Sequence, residues 1–234
     1  MREEAADVQQ TPGQTAISPH PESSKEALRL GSIAVRVPSV TVAERRACGA
    51  SCDPALPVRC VSGGDFQGGL LAREGAQFLE RVPEPPQGKE AGRYLLQPGD
   101  LAFARVGGAY LGTVPEVAGH ALVATENVTA LRLLDADPVS VTAIGRYLSR
   151  GADGQLEALR SRSSRSVRFK DLASIAVPAP LVAGTEAFAA ARGGLEADAL
   201  RLDAAARAAG DALDELASAA AALDSSIEAT LIGY

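Results

Sequence analysis

From Glu186 to the C-terminus the chain carries an unbroken heptad repeat, and this repeat constrains the fold more than any other feature. Ten apolar positions follow one another at alternating steps of four and three residues: Leu195, Ala199, Leu202, Ala206, Ala209, Leu213, Leu216, Ala220, Leu223 and Ile227. This spacing is the a/d seam of a coiled coil. Because charged and small polar residues surround so narrow a stripe, the sequence predicts a long helix that packs against a partner helix.

The alternative is an ordinary amphipathic helix that packs on its own domain. Its period would not need to stay at 3.5 residues for about five heptads, whereas three or four sustained heptads already favour a coiled coil. Four of the ten seam positions are Ala, which lets two backbones approach closely but buries little apolar area. We therefore expect the helix to dock against a folded partner, or against a second helix held by domains at both ends.

The remainder of the 234 residues is sufficient for one ordinary domain. Residues 1–27 are polar and contain proline, and they lack the apolar core of a signal peptide, so we predict a disordered tail and a cytoplasmic protein. No apolar run approaches the ~18 residues that span a bilayer. The predicted fold class is α+β, with a β-rich domain over residues 28–182 followed by a coiled-coil helix over residues 183–234.

Local patterns place the elements of the β-rich domain. Alternating or apolar runs predict strands at Ser32–Val37, Leu56–Val61 and Leu101–Ala104, and further strand within Ala121–Leu134. Gln97-Pro98-Gly99-Asp100 has the proline and glycine positions of a type II turn. Apolar residues at helical spacing predict a helix over Pro138–Ser149, with a further helical turn at Leu156–Arg160.

The sequence offers no set of residues typical of an enzyme or a metal site. Cys48, Cys52 and Cys60 contain no C-x-x-C pair, and the two histidines, His20 and His120, lie far apart, so we expect reduced structural thiols and no bound metal. The chain has no G-x-S-x-G, no H-E-x-x-H and no phosphate-binding G-x-x-x-x-G-K-[ST] motif. We therefore expect neither catalytic residues nor a cofactor.

Charge is distributed unevenly along the chain. Ser140 to Ile175 contains seven basic and three acidic residues, a net charge of +4, whereas the segment from Glu186 onward contains nine acidic residues and three arginines, a net charge of −6. A basic part beside an acidic helix indicates a protein that binds a polyanion with one surface and a protein with another.

Several basic residues are candidates for contacting nucleic acid. Four arginines fall in or beside a serine-rich segment, Ser161–Lys170, and serine hydroxyls and guanidinium groups commonly contact phosphates and base edges. Other arginines lie in or at the ends of predicted strands. The full candidate set is Arg59, Arg105, Arg160, Arg162, Arg165, Arg168 and Lys170.

The order of these motifs resembles one half of a type I restriction–modification specificity subunit, from about Leu30 to Ala222. The matching segments are Leu56–Phe66, the Leu-x-Pro-Gly-Asp turn at Leu96–Asp100, the strand and glycines at Leu101–Gly108, Val123–Leu133, the Tyr147-Leu148 pair, and Leu172–Pro180 before the long helix. Each motif is loose, but their order and spacing are moderately specific. The chain departs from the family in having one such domain and one such helix where a full-length subunit has two, and in having Leu181-Val182-Ala183-Gly184 where Gln commonly follows the prolines.

The resemblance implies a target-recognition domain that reads double-stranded DNA, and a conserved-region helix that binds an adenine DNA methyltransferase subunit, with or without a restriction subunit. Catalysis would belong to those partners. A half-size chain would pair through antiparallel helices, with a second copy or with a different half-subunit, and would read a bipartite site. Two other interpretations stay open: a coiled-coil scaffold protein without DNA specificity, and an unrecognised enzyme.

Overall fold

The computed structural model describes residues 26–71, 76–90, 92–135, 137–162, 166–202, 204–205 and 208 of the chain. It contains a mixed α+β domain followed by a helix, which confirms the α+β part of the predicted fold class. The strands are β1 Ala27–Arg29, β2 Ala34–Val37, β3 Val58–Val61, β4 Phe66–Gln67, β5 Leu70–Leu71, β6 Gln77–Leu79, β7 Leu95–Leu96, β8 Leu101–Ala104, β9 Tyr110–Thr113, β10 Ala121–Ala124, β11 Val128–Leu133 and β12 Ala176–Pro178. The helices are α1 Leu30–Ile33, α2 Val42–Ala47, α3 Pro138–Ser149, α4 Gln155–Arg162, α5 Phe169–Leu172 and α6, residues 186–202.

Two four-stranded sheets form the framework of the domain. The first has the order β6-β3-β10-β7, in which β3 and β10 are parallel, and the second has the order β2-β11-β8-β9 with every pair antiparallel. Strands β1 and β12 pair separately and so hold the segment before the sheets beside the segment that leads to α6. The β4–β5 hairpin packs beside β9.

Alternation along the strands builds the core in layers. Leu122 and Ala124 of β10 pack with Ala102 of β8 and Ala130 of β11 in one apolar cluster that joins the two sheets, whereas Val123 belongs to a cluster on the opposite face of the first sheet. These positions follow the two-residue period of a strand. Each sheet therefore buries both of its faces.

A third apolar cluster fixes the helices on the outer face of the second sheet. Leu101 and Phe103 of β8 pack against Ile144 and Leu148 of α3. Helix α3 approaches β9 closely because residue 145 is glycine: a Cβ there would lie 2.9 Å from the Tyr110 hydroxyl. The side chain of Asp137 caps α3 by accepting hydrogen bonds from the N–H groups of residues 139 and 140, at 2.9 and 3.2 Å.

Most of the predicted elements are present, with differences in their bounds. The predicted strand over Ser32–Val37 is wrong at its start, because Leu30–Ile33 form a helical turn; the N–H of Gly31 donates to the carbonyl of Ala173 at 3.0 Å. Ala121–Leu134 contains two strands in different sheets, separated by a turn. The second short helix is longer than predicted and covers Gln155–Arg162.

The described part of the long helix confirms a helix but leaves the coiled coil as a prediction. The Thr185 hydroxyl accepts a hydrogen bond from the N–H of Phe188 at 3.0 Å, which caps the start of α6. Leu195, Ala199 and Leu202 of the seam lie within α6. The other seam positions, from Ala206 to Ile227, lie outside the described residues, as do residues 1–25 of the predicted tail.

Candidate nucleic-acid interface

A glycine turn between β8 and β9 presents the first candidate residue. Gly107 and Gly108 both have positive φ, +77° and +64°, a conformation that residues with a side chain rarely adopt. The turn leaves Arg105 and Val106 exposed, with 67% of Val106 accessible to solvent. The Arg105 guanidinium donates to the carbonyl of Glu126 at 3.1 Å, so the end of this side chain contacts the neighbouring β10–β11 turn.

This glycine turn contacts the basic segment predicted from the sequence. The N–H of Val167 donates to the carbonyl of Arg105 at 2.8 Å, and Val167 itself is buried. A Cβ on Gly108 would lie 2.7 Å from a methyl group of Val167, so the close approach depends on glycine at that position. Residues that are about sixty positions apart in sequence are therefore adjacent at one edge of the domain.

The structure describes basic residues on both sides of this contact. Arg160 lies on α4, where it is exposed and pairs with Glu157 at 3.4 Å. Arg168 precedes α5, and its backbone N–H donates to the carboxylate of Asp171 at 2.9 Å. The side chains of Arg168 and Lys170 are exposed.

The structure brings four of the seven candidate residues to the surface. These are Arg105, Arg160, Arg168 and Lys170. We name Arg105, Arg168 and Lys170, which lie at or close to the contact between Arg105 and Val167, the basic edge. Arg162 is described only in its backbone, and Arg165 lies outside the described residues. Arg59 is on β3 as predicted, but it is only 5% exposed, so it does not contribute to the basic edge.

A second set of ionic contacts, which the sequence did not reveal, holds the turns beneath the basic edge. Arg45 donates to both carboxylate oxygens of Glu126, at 2.7 and 2.9 Å, and to Gln77 at 2.6 Å. Glu126 therefore accepts Arg45 with its side chain while its carbonyl accepts Arg105. No short motif links these residues, which come from three separate parts of the chain.

The Leu-x-Pro-Gly-Asp turn is fixed by its aspartate. Asp100 is buried, with 1% of its surface exposed, and its carboxylate accepts a hydrogen bond from the backbone N–H of Gln97 at 2.8 Å. The same carboxylate pairs with Arg132 of β11 through two hydrogen bonds, at 2.9 and 2.8 Å. Gly99 has φ +92°, as the third position of a type II turn requires. The motif thus forms the turn that precedes β8, and β8 in turn ends at the glycine turn.

The groups with raised pKa values are neutral at pH 7. Burial raises the pKa of Tyr110 to about 12 and the pKa of the Cys60 thiol to about 11. Burial, together with the carboxylate of Asp153, raises the pKa of Tyr147 to about 12. None of these groups is activated as a nucleophile. The chemistry that the exposed guanidinium and ammonium groups of the basic edge can supply is binding to anions such as phosphate.

The described ranges contain no group of three or more His, Cys, Asp or Glu side chains arranged to hold a metal ion. No helix within them is long and apolar enough to cross a membrane.

Several solved chains are similar in fold to this protein. No protein-family model matches the sequence, and no curated protein is significantly similar to it. A chain from a structure concerned with complex assembly and conformational transition of the type I R-M system is similar in structure, with a TM-score of 0.51 and 14% identity over 82% of this chain. The HsdS subunit from Thermoanaerobacter tengcongensis matches 70% of this chain with a TM-score of 0.45 and 15% identity.

The fold is similar to that of a chain from a type I R-M system structure, in agreement with the resemblance that the sequence motifs carry. The chain spans 43% and 35% of the lengths of these two solved chains.

Proposed function

We propose that this protein is a sequence-specific DNA-binding specificity subunit of a type I-like restriction–modification system. The observation that carries the proposal is the hydrogen bond between Arg105 and Val167, which places the glycine turn against the basic segment. Arg105 and Arg168, from two distant parts of the chain, thereby lie at one edge of the domain. Phosphate contacts from such an edge supply the affinity of DNA binding, and exposed turn residues beside them are placed to read base edges.

The second part of the proposal concerns the partners of the long helix. The fold similarity to specificity subunits and the heptad pattern both support a helix that pairs with a second half-subunit and that holds an adenine DNA methyltransferase. Two copies related by a two-fold axis would present two recognition domains to a bipartite, inverted-repeat site. The chain itself would be non-catalytic and would direct the methylation and restriction subunits to that site.

Fluorescence anisotropy with a labelled duplex tests the DNA-binding part. Titrations of the full-length protein at about 50 and 200 mM salt should show an affinity that falls steeply with salt. The double variant Arg105→Ala/Arg168→Ala should weaken binding and flatten the salt dependence. The variant Arg162→Ala/Arg165→Ala tests the part of the basic segment that lies outside the described side chains.

Arg81→Ala is the matched control. Arg81 is exposed, lies 3.9 Å from the carboxylate of Glu84, and does not belong to the basic edge. Binding by this variant should equal that of the wild type. An affinity that is independent of salt, or unchanged in both arginine pairs, would contradict the proposal and would favour a scaffold protein without DNA specificity.

A further inference from the structure

Helices α3 and α6 are tied together at one end and leave an open groove between them. The Arg192 guanidinium lies 3.1 Å from the carboxylate of Asp137, the residue that caps α3. Beyond this ion pair the groove has a volume of about 860 Å³. Its apolar lining includes Leu195, Ala199 and Leu202 of the seam, opposite Val139 and Ala143 of α3.

The apolar stripe of α6 passes from the domain core into this groove. Phe188, one heptad before Leu195, is 5% exposed and packs in the core, whereas Leu202, one heptad after Leu195, is 40% exposed. The stripe is therefore covered at the start of the helix and increasingly open along it. The open part presents apolar area that a further helix can bury.

One rim of the groove is basic. Arg146 lies on α3 and Arg150 directly follows the helix, and both side chains are exposed. Asp153 and Asp198 also line the groove, but Asp198 pairs with Arg201 at 3.0 Å and Asp153 accepts a hydrogen bond from the Tyr147 hydroxyl at 3.1 Å. The ion pairs found in the described ranges involve neither Arg146 nor Arg150. An occupant of the groove should therefore combine an apolar stripe with acidic side chains.

The C-terminal part of this same sequence has those properties. Residues 209–234 contain five acidic residues, Asp211, Asp214, Glu215, Asp224 and Glu228, and no lysine or arginine. They also carry seam residues of the same heptad repeat, among them Leu213, Leu216 and Leu223.

We propose that residues 209–234 of a second copy occupy the groove, with their acidic side chains against Arg146 and Arg150. This inference rests on the two-copy pairing in the proposed function and specifies its contacts. The heptad repeat is unbroken from Leu202 through Ala209 to Leu213, so the sequence predicts a helix that continues away from the groove of its own chain. Antiparallel pairing carries that segment to the groove of the partner, and the two-fold axis makes the contact reciprocal.

The charge pairing has a consequence for register. A seam in which Ala recurs does little to distinguish one heptad register from the next. A slip of one heptad moves a helix by about 10 Å, at 1.5 Å per residue. Such a slip would displace the acidic segment relative to Arg146 and Arg150. The groove therefore selects one register, and with it one distance between the two recognition domains.

Sedimentation velocity of the full-length chain, without DNA, tests the proposal. The wild type should dimerise, and Arg146→Glu/Arg150→Glu should weaken the dimer by about tenfold or more at low salt. Asp214→Lys/Glu215→Lys should weaken it similarly. A chain that combines all four substitutions restores opposite charges and should recover the dimer. The matched control is Arg36→Glu/Arg81→Glu, which reverses two exposed arginines away from the groove.

The outcomes separate this inference from the proposed function. Circular dichroism should show that all variants remain folded. If the wild type dimerises and Arg146→Glu/Arg150→Glu does not weaken the dimer, the groove contact is overturned while the two-copy pairing stands. Loss of DNA binding with an intact dimer would instead assign these arginines to DNA and would also overturn it. A monomeric wild type would overturn both the groove contact and the two-copy pairing, but not DNA binding by the basic edge.

Discussion

The guanidinium of Arg132 donates two hydrogen bonds to the buried carboxylate of Asp100, at 2.9 and 2.8 Å. The carboxylate also accepts the N–H of Gln97, and the guanidinium also donates to the carbonyl of Leu95 at 2.8 Å. This pair thus joins β11, β7 and the turn before β8. It holds the strand that ends at the glycine turn of the basic edge.

Replacing Arg132 with alanine should destabilise the domain by about 3 kcal/mol, because it leaves the buried charge of Asp100 without its partner. Urea unfolding, followed by circular dichroism, measures this difference. Arg81→Ala breaks an exposed contact and should change the free energy of unfolding by less than about 0.5 kcal/mol. Equal effects in the two variants would contradict a structural role for the Arg132–Asp100 pair.

The three cysteines should differ in reactivity. Cys52 is exposed, whereas Cys48 and Cys60 are buried, and burial raises the pKa of Cys60 to about 11. Because the thiolate is the reactive form, an alkylating reagent at neutral pH should label Cys52 in the native protein and the other two only after unfolding. Mass spectrometry of the labelled peptides identifies the sites. Rapid native labelling of Cys60 would show that the first sheet is not packed as described.

The protein should become less stable in acid as Glu44 is protonated. Burial raises the pKa of this carboxyl from its usual value of 4.5, but hydrogen bonds from Thr41 and from the Tyr94 hydroxyl outweigh that effect, and its pKa is lowered overall. The ionised form therefore stabilises the fold above pH 4.5, and this contribution is lost as the pH falls through the lower, folded-state value. The melting temperature of Glu44→Gln should be lower than that of the wild type at pH 7, and this difference should shrink below pH 4. A difference that is constant with pH would exclude the assigned role.

Each residue of the basic edge should make its own contribution to the affinity for DNA. Each single substitution, Arg105→Ala or Arg168→Ala, should lower the affinity for all duplexes and reduce the slope of log K against log salt by about one, provided that the residue contacts a phosphate. If one of them instead reads a base, its loss should relax preference at one position of the site. Arg59→Ala should behave differently. Because Arg59 is buried, this substitution should lower the stability of the domain more than it changes the slope of log K against log salt.

The sequence predicted those features that are local. Helix α3 follows from its apolar spacing, the type II turn from Pro98 and Gly99, and the start of α6 from the heptad pattern. The exposed residues Arg160, Arg168 and Lys170 lie in or beside the cationic segment that the sequence singled out. It did not predict that Arg59 is buried, since an arginine in a short strand gives no indication of which sheet face is covered.

Contacts between distant segments could not be predicted in the same way. The approach of Gly108 to Val167 depends on how the second sheet and α5 pack, and the Arg45–Glu126 pair joins a helix to a turn 81 positions later. A glycine pair or an isolated glutamate has many structural uses, so neither residue type identifies its partner.

Selection of bound sequences from a random pool of DNA duplexes tests the central claim most directly. The full-length protein, alone and with an adenine DNA methyltransferase partner, should enrich two short half-sites in inverted repeat at one fixed spacing. Arg105→Ala/Arg168→Ala should lose this enrichment. Recovery of no sequence beyond the starting pool would contradict the assignment as a DNA specificity subunit, and recovery of a single contiguous, asymmetric motif would contradict the pairing of two copies.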